Sequence, residues 1–193
     1  MSIAELVEER VEQNISDTVR EATFGLISSL KTEFNGKAGF TFILGYGPEH
    51  KPYVSNLKKD RVEGRRINVT DESAYDFLAK MAREDDDGAV LISKEGYLVK
   101  TGMRLRPDPE DVLDELKIPN SRTLGERFGF AHDVGTRHTS AIAATHRMKD
   151  IEAYVLSQET GHIRVFSDVN IVFSTEPRDY VKNSGQTYAH NVA

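Results

Sequence analysis

The chain has 193 residues, no cysteine and a formal net charge of −6. This length corresponds to a single domain, and the absence of thiols excludes disulfide scaffolds, cysteine-ligated zinc sites and thiol nucleophiles. The acidic balance argues against general nucleic-acid binding, and no apolar run approaches the ~20 residues of a membrane helix. The N-terminus is acidic and amphipathic rather than signal-like. We therefore expect a cytoplasmic protein that binds neither nucleic acid nor membrane.

Apolar residues recur at three- or four-residue spacing through the first 34 residues, as is typical of an amphipathic helix. Capping residues at 14–17 predict a break, with a new helix starting near Ser16. Residues 1–34 are accordingly assigned to an N-terminal helical segment.

From residue 38 onward, short apolar runs alternate with capped or periodic segments. The predicted strands are 38–44, 88–93, 97–101, 151–157, 162–167 and 169–174. The predicted helices are a segment from Asp71 or Ser73 to about Arg83, a short piece at 112–116 and a small-residue helix at 136–148. The alternation predicts an α/β fold, with a single domain over 35–176 whose central mixed β-sheet is flanked by helices. A polar tail, frayed at its end, is expected at 177–193.

An acidic run ends in Asp87, directly before Gly88 and Ala89. Most such runs are solvated helix ends, and that interpretation stays open here. However, carboxylates at a helix C-terminus oppose the helix dipole, and Asp87 stands where the chain enters an apolar strand, a suitable place for a divalent-metal ligand. Gly88 would let a ligand approach the backbone closely.

The sequence Gly135-Thr136-Arg137-His138 opens the predicted helix at 136–148. A hydroxyl, a guanidinium, an imidazole and free backbone amides at the positive end of a helix suit phosphate binding. A threonine N-cap followed by an exposed arginine is an equally good interpretation. A third segment, 157–161, taken alone is an ordinary hairpin turn.

The three segments together resemble the motifs of the diadenylate cyclase domain family, which condenses two ATP into cyclic di-AMP. They stand in the family's order as Asp87-Gly88-Ala89, Gly135-Thr136-Arg137-His138 and Ser157-Gln158-Glu159-Thr160-Gly161. The resemblance extends over roughly residues 38–175. Thr139 replaces the arginine that follows the family's histidine, and Gln158 replaces the first glutamate of its turn.

This resemblance implies nucleotidyl transfer that depends on Mg²⁺ or Mn²⁺. Asp87 would be the catalytic residue that polarises the attacking 3′-hydroxyl, and Asp87 and Glu159 would be the metal ligands. The implied nucleotide-binding residues are Gly88, Ala89, Leu105, Gly135, Thr136, Arg137, His138, Ser140 and Ser157. Since one chain carries one copy of each motif, a face-to-face homodimer is implied for catalysis, possibly within a higher homo-oligomer.

Two other interpretations stay open. A non-catalytic regulatory module that binds ATP or cyclic di-AMP is favoured by Thr139 and disfavoured by the presence of Asp87. An unrelated α/β structural domain requires that the three motifs coincide by chance. If the chain is an enzyme, replacing Thr139 with arginine should leave activity intact or raise it.

Overall fold

The structure, a computed structural model, describes residues 15–84, 88–119, 122–183 and 186–187. Helix α1 (Asp17–Glu33) begins after Ser16, whose side-chain oxygen accepts the backbone N–H of Val19. The predicted restart near Ser16 is thus confirmed. The helix expected over the first 14 residues lies outside the described part of the chain.

Seven of the described strands form one mixed sheet. They are β1 (Phe40–Leu44), β2 (Val54–Asn56), β3 (Ala89–Ile92), β4 (Leu98–Leu105), β5 (Glu152–Leu156), β6 (Ile163–Ser167) and β7 (Asn170–Ser174). Their order across the sheet is β2-β4-β3-β1-β5-β6-β7, in which β1 and β3 are parallel and all other neighbours antiparallel. A separate two-stranded ribbon joins β8 (Lys182–Asn183) to β9 (Gln186–Thr187).

Helices flank this sheet, as the predicted fold class requires. They are α2 (Glu72–Arg83), α3 (Pro109–Glu115), α4 (Leu124–Arg127) and α5 (Thr136–Arg147), with a 3₁₀ helix at Pro48–Tyr53. Asp71 is the N-cap residue of α2, one of the two caps predicted. Within the described ranges, no helix combines the length and apolar character that crossing a membrane requires.

The central strand β1 separates two apolar cores because its side chains alternate between the faces of the sheet. Phe40, Phe42 and Leu44 belong to the core that contains α1 and α2. Ile43 belongs to the core that contains α3 and α5. The fold therefore has three layers, with helices on both faces of the sheet.

A buried ion pair fixes α1 to the sheet. Arg20 and Glu152, which are 2% and 0% exposed, approach to 2.9 Å between Nε and Oε1. The hydroxyl of Tyr154 donates to the other oxygen of Glu152. Burial raises the pKa of the Glu152 carboxyl, while Arg20 opposes that rise. The second half of the N-terminal helical segment is therefore part of the main core.

Candidate functional site

A cavity of about 480 Å³ brings together segments from all three motifs. It lies at the edge of the sheet where β1 and β3 begin and where β4 and β5 end, since each of the last two is antiparallel to one of the first two. Its described lining consists of Thr41, Leu57, Gly88, Ala89, Met103, Arg104, Leu105, Gly135, Thr136, Arg137, Ser140, Gln158 and Glu159.

Most of the site residues inferred from the sequence line this one cavity. They are Gly88, Ala89, Leu105, Gly135, Thr136, Arg137, Ser140 and Glu159. His138 and Ser157 are buried outside the lining, and Asp87 lies outside the described residues.

The N-terminus of α5 opens on the cavity, with Gly135 as its N-cap residue. The first amides of a helix have no partner within it and carry its positive dipole end, so this part of the wall suits an anion. Arg137 is half-buried here and lies against Gly39. A Cβ atom at Gly39 would come within 2.4 Å of the Arg137 guanidinium, so the glycine provides the space that the arginine occupies.

Five lining residues were not predicted as site residues: Thr41, Leu57, Met103, Arg104 and Gln158. Arg104 is an exposed residue of β4 and adds a second cationic side chain beside Arg137. Thr41 is 4% exposed, and its buried hydroxyl has no hydrogen-bond partner among the described residues. Buried hydroxyls without a partner are rare, so this one is available to a ligand or water in the cavity. In the sequence, Thr41 stands two residues before Ile43 in a predicted strand, and this spacing places both side chains on the same face of β1.

The structure explains the glycine at position 88 by a contact within the protein, whereas the sequence predicted the close approach of a ligand. The φ of +112° at Gly88 is in the region that favours glycine, and an added Cβ would lie 2.8 Å from the backbone of Gly102. The close neighbour that excludes a side chain is therefore strand β4. The glycine lets β3 and β4 converge at the cavity edge.

His138 is directed away from the cavity lining, towards β6. Its Nε2 accepts a hydrogen bond from the Arg164 guanidinium at 3.2 Å, and its ring meets the edge of Phe130. Burial, followed by the charges of Arg164 and Arg137, lowers the pKa of His138 to about 3. The ring is therefore neutral near pH 7, with its proton on Nδ1 because arginine can only donate. In this structure His138 anchors the helix that presents Arg137.

Asp179 completes this buried network from the predicted polar tail. Its carboxylate pairs with Arg164 at 2.6 Å, and the two residues are 4% and 2% exposed. It also accepts the backbone N–H of Ala131 and the hydroxyl of Ser174. The packed part of the chain therefore extends to at least residue 179, beyond the expected domain boundary at 176.

Ser157 shapes the turn after β5 without lining the cavity. Its Oγ accepts the backbone N–H of Thr160 at 3.2 Å, and its own N–H donates to the carbonyl of His162. These bonds hold the turn that presents Gln158 and Glu159 to the cavity.

Thr139 is buried within α5 and is 3% exposed. Its hydroxyl donates to the carbonyl of Thr136 at 3.2 Å, one turn earlier in the helix. It is not part of the cavity lining, so the position that carries an arginine in the resembling motif here faces the protein interior.

The donor set for a metal is only partly described. Glu159 is exposed and is the one carboxylate among the described lining residues. Within the described ranges, no group of three or more histidine, aspartate or glutamate side chains could hold a metal ion. Carboxylate oxygen is a ligand that Mg²⁺ accepts, so Glu159 is chemically suitable.

Comparison with known proteins finds a curated relative. A diadenylate cyclase from Methanocaldococcus jannaschii is 31% identical over 115 residues, which are 60% of this chain and 31% of that protein. This similarity confirms the resemblance to the diadenylate cyclase family that the three motifs indicated. The chain spans about a third of the length of this relative, and no family model matches it.

Two solved structures resemble the fold at 16% identity. The first, described as a hypothetical membrane spanning protein from Bacillus cereus, has a TM-score of 0.53 and aligns with 78% of this chain and 60% of its own. The second is DacA from Staphylococcus aureus, a double mutant, with a TM-score of 0.46 over 81% of this chain and 87% of its own. The first shows that the fold is shared; at this identity it carries no information on function.

Proposed function

We propose that this protein is a diadenylate cyclase that condenses two ATP into cyclic di-AMP and two pyrophosphates. The observation that carries the proposal is the convergence of three motif segments, distant in the chain, on one cavity of about 480 Å³. In each of two equivalent steps, a ribose 3′-oxygen bonds to the α-phosphorus of the other ATP, and the bond to the departing pyrophosphate breaks. Such transfers depend on alignment and charge stabilisation.

The triphosphate would lie at the N-terminus of α5. The helix amides, Thr136 and Ser140 supply hydrogen-bond donors, and the Arg137 guanidinium supplies positive charge. Arg104 on β4 adds a second cation to the same lining.

The adenosine would lie along the apolar part of the lining, where Leu57, Met103 and Leu105 share the wall. Adenine has a large apolar face, and pockets for such ligands combine apolar walls with a few polar groups. The buried Thr41 hydroxyl is one polar group that the ligand can satisfy.

Glu159 and Asp87 would hold the divalent metal, Mg²⁺ or Mn²⁺. Glu159 lines the cavity, and Asp87 precedes the lining residue Gly88 in the chain. When bound, the metal lowers the energy of the charge that develops on the phosphate and on the attacking oxygen. The Asp87 carboxylate would polarise the 3′-hydroxyl.

Catalysis would require two protomers face to face. One chain carries one such set of motifs, and each ATP is both nucleophile and electrophile, so a two-fold encounter satisfies both attacks with one geometry. Specific activity at saturating ATP should then fall on dilution below the dimer dissociation constant. Constant specific activity at concentrations where sedimentation finds only monomer would contradict the face-to-face dimer.

The test of the activity is incubation with ATP and Mn²⁺, followed by chromatography of the nucleotides. Cyclic di-AMP is the expected product. Asp87→Asn should lower turnover by about 100-fold or more, the usual effect of removing one well-placed electrostatic group. Asp76→Asn, an exposed aspartate of α2, is the matched control and should retain wild-type turnover.

The presence of Thr139 in place of the motif's second arginine favours the alternative, a regulatory module that binds ATP or cyclic di-AMP without turnover. The same experiment separates the two proposals. ATP that is bound and recovered unreacted supports the module, whereas an Asp87-dependent product supports the enzyme.

A further inference from the structure

A second cavity, of about 710 Å³, lies between α2 and the loop that follows β2. We call it the basic cleft. Its described lining consists of Phe77, Lys80 and Met81 of the helix and of six loop residues, Lys58, Lys59, Asp60, Arg61, Glu63 and Arg65. None of these residues belongs to the lining of the candidate active site. Its volume is within the range of small-molecule sites.

The lining is strongly cationic for a protein with a net charge of −6. Five cationic side chains meet two acidic ones in the lining, Asp60 and Glu63, and Glu84 pairs with Arg61 beside it, so the formal charge of the group is +2. Asp60 is turned towards the backbone, where it accepts the N–H groups of Val62 and Thr101 at 3.0 and 3.1 Å. A concave surface lined by one sign of charge concentrates ligands of the opposite sign.

Both walls of the basic cleft are held by contacts that cross it. The Arg61 guanidinium bonds to Glu84 at the end of α2. The Arg65 guanidinium lies 5.5 Å from the centre of the Phe77 ring, a cation–π contact. These contacts place two guanidinium groups and an aromatic face around one concave surface, beside the lysine ammonium groups.

The basic cleft and the candidate active site meet at one loop. Leu57 lines the site and Lys58 lines the cleft, and the backbone N–H groups of both donate to the carbonyl of Gly102 at 2.8 and 2.9 Å. The two cavities are therefore adjacent but separately lined.

We propose that the basic cleft is a second ligand site that binds a diphosphate group, either inorganic pyrophosphate or the diphosphate of a nucleotide. Several cations spread over one concave surface match an anion that carries several charges at fixed spacing, since phosphate oxygens accept many charge-assisted hydrogen bonds at once. The net negative charge of the chain disfavours a nucleic-acid backbone, which needs an extended basic field. The proposal does not depend on the activity proposed above.

The test is calorimetric titration with sodium pyrophosphate in the presence of a chelator, which removes metal-bridged binding. The double variant Lys59→Gln, Lys80→Gln should weaken binding at the basic cleft by about tenfold or more, as expected for the loss of hydrogen bonds to charged groups. The control Lys94→Gln, Lys149→Gln removes two exposed lysine charges outside the cleft and should leave affinity within about twofold. Thermal melts check that all variants fold.

Arg137→Ala separates this proposal from binding in the candidate active site. Pyrophosphate binding that survives in Arg137→Ala and is lost in the cleft variant supports the second site. Loss in Arg137→Ala alone, or equal weakening by both lysine pairs, would overturn the proposal.

A titration with ADP distinguishes the two sources of diphosphate. Phe77→Leu keeps an apolar side chain against the core but removes the ring, and with it both the contact to Arg65 and an aromatic surface for a base. Weaker ADP binding with unchanged pyrophosphate binding identifies a nucleotide ligand. Unchanged binding of both identifies inorganic diphosphate.

Discussion

The two sides of helix α5 differ in what their residues contact. Thr136, Arg137 and Ser140 line the candidate site, whereas His138 and Thr139 are buried away from it. A run of five residues therefore combines side chains that face a ligand with side chains that anchor the helix. We expect substitutions on the cavity side to change ligand binding at constant stability, and substitutions on the buried side to change stability first.

The largest effect is expected at the buried ion pair between Arg164 and Asp179, which supports the buried side of α5 through His138. Asp179→Ala leaves the Arg164 guanidinium buried without its counter-charge, which should lower the free energy of unfolding by about 3–5 kcal/mol. Urea denaturation followed by circular dichroism measures the loss. Asp76→Ala, an exposed aspartate of α2, is the control and should stay within about 0.5 kcal/mol of wild type.

The double variant Arg164→Leu, Asp179→Leu tests the cause of that loss. It removes both charges, so it should be more stable than Asp179→Ala if the unpaired guanidinium is responsible. An Asp179→Ala protein as stable as wild type would show that the buried pair does not hold α5.

On the cavity side, Arg137→Ala should weaken ATP binding by about 10- to 100-fold, the equivalent of one or two hydrogen bonds to a charged group. Turnover should fall with it, because a guanidinium on phosphate acts in the ground state and the transition state alike. Equilibrium binding of ATP and urea denaturation are the two measurements, and stability should stay within about 0.5 kcal/mol. Arg122→Ala removes an exposed arginine outside the lining and is the control. Unchanged ATP affinity in Arg137→Ala would exclude this side of α5 from the binding site.

Thr139→Arg sharpens the comparison at the position where the chain departs from the family motif. Because Thr139 is 3% exposed, the larger charged side chain should lower the free energy of unfolding by about 1–3 kcal/mol through overpacking. The expectation that this substitution leaves activity intact or raises it is tested separately, by the turnover of the folded variant. Thr139→Val has nearly the same shape and loses only the hydroxyl bond to Thr136, so it should cost about 1 kcal/mol. An arginine variant as stable as wild type would place residue 139 on the cavity side.

The buried side of α5 also gives a pH dependence, which His138 contributes. Its pKa of about 3 in the folded protein lies below the ordinary value of about 6.5, so between these values the unfolded chain binds one more proton. The stability that His138 contributes is fully present above about pH 6.5 and is lost as the pH falls, by up to about 1.4 kcal/mol per pH unit. His138→Gln removes this contribution, so the stability difference between wild type and variant should shrink from pH 7 to pH 4.5. Parallel stability curves would contradict a buried, neutral His138.

The element types could be predicted from the sequence because their patterns are local and long. Helix α5 and strand β1 carry continuous periodic or apolar runs, and both appear within one or two residues of the expected bounds. The three-residue strand β2 was not predicted, since it is too short to carry a period. Its pairing with the end of β4 joins residues that are far apart in the chain, so no local sequence pattern indicates it.

The candidate site could be predicted only as a set of motifs. The direction in which His138 points depends on the rotation of α5 against the sheet, and that rotation is fixed by the packing of the buried face from Ala141 to Ala144. Arg104 is next to Leu105, a predicted site residue. Whether its side chain reaches the cavity depends on where β4 ends in the folded sheet, which the sequence does not show. No local sequence pattern indicates that Asp179 is buried, because its partner Arg164 is on a strand fifteen residues earlier.

The buried contact of Asp179 also shows that the packed core needs residues beyond the third motif. A chain that stops at Glu176 keeps all three motifs and all seven strands of the main sheet, yet it lacks the carboxylate that neutralises Arg164. During synthesis on the ribosome, the contact that links Asp179 through Arg164 to His138 can form only after residue 179 has left the exit tunnel. A segment that is translated late thus supports a helix that starts more than forty residues earlier.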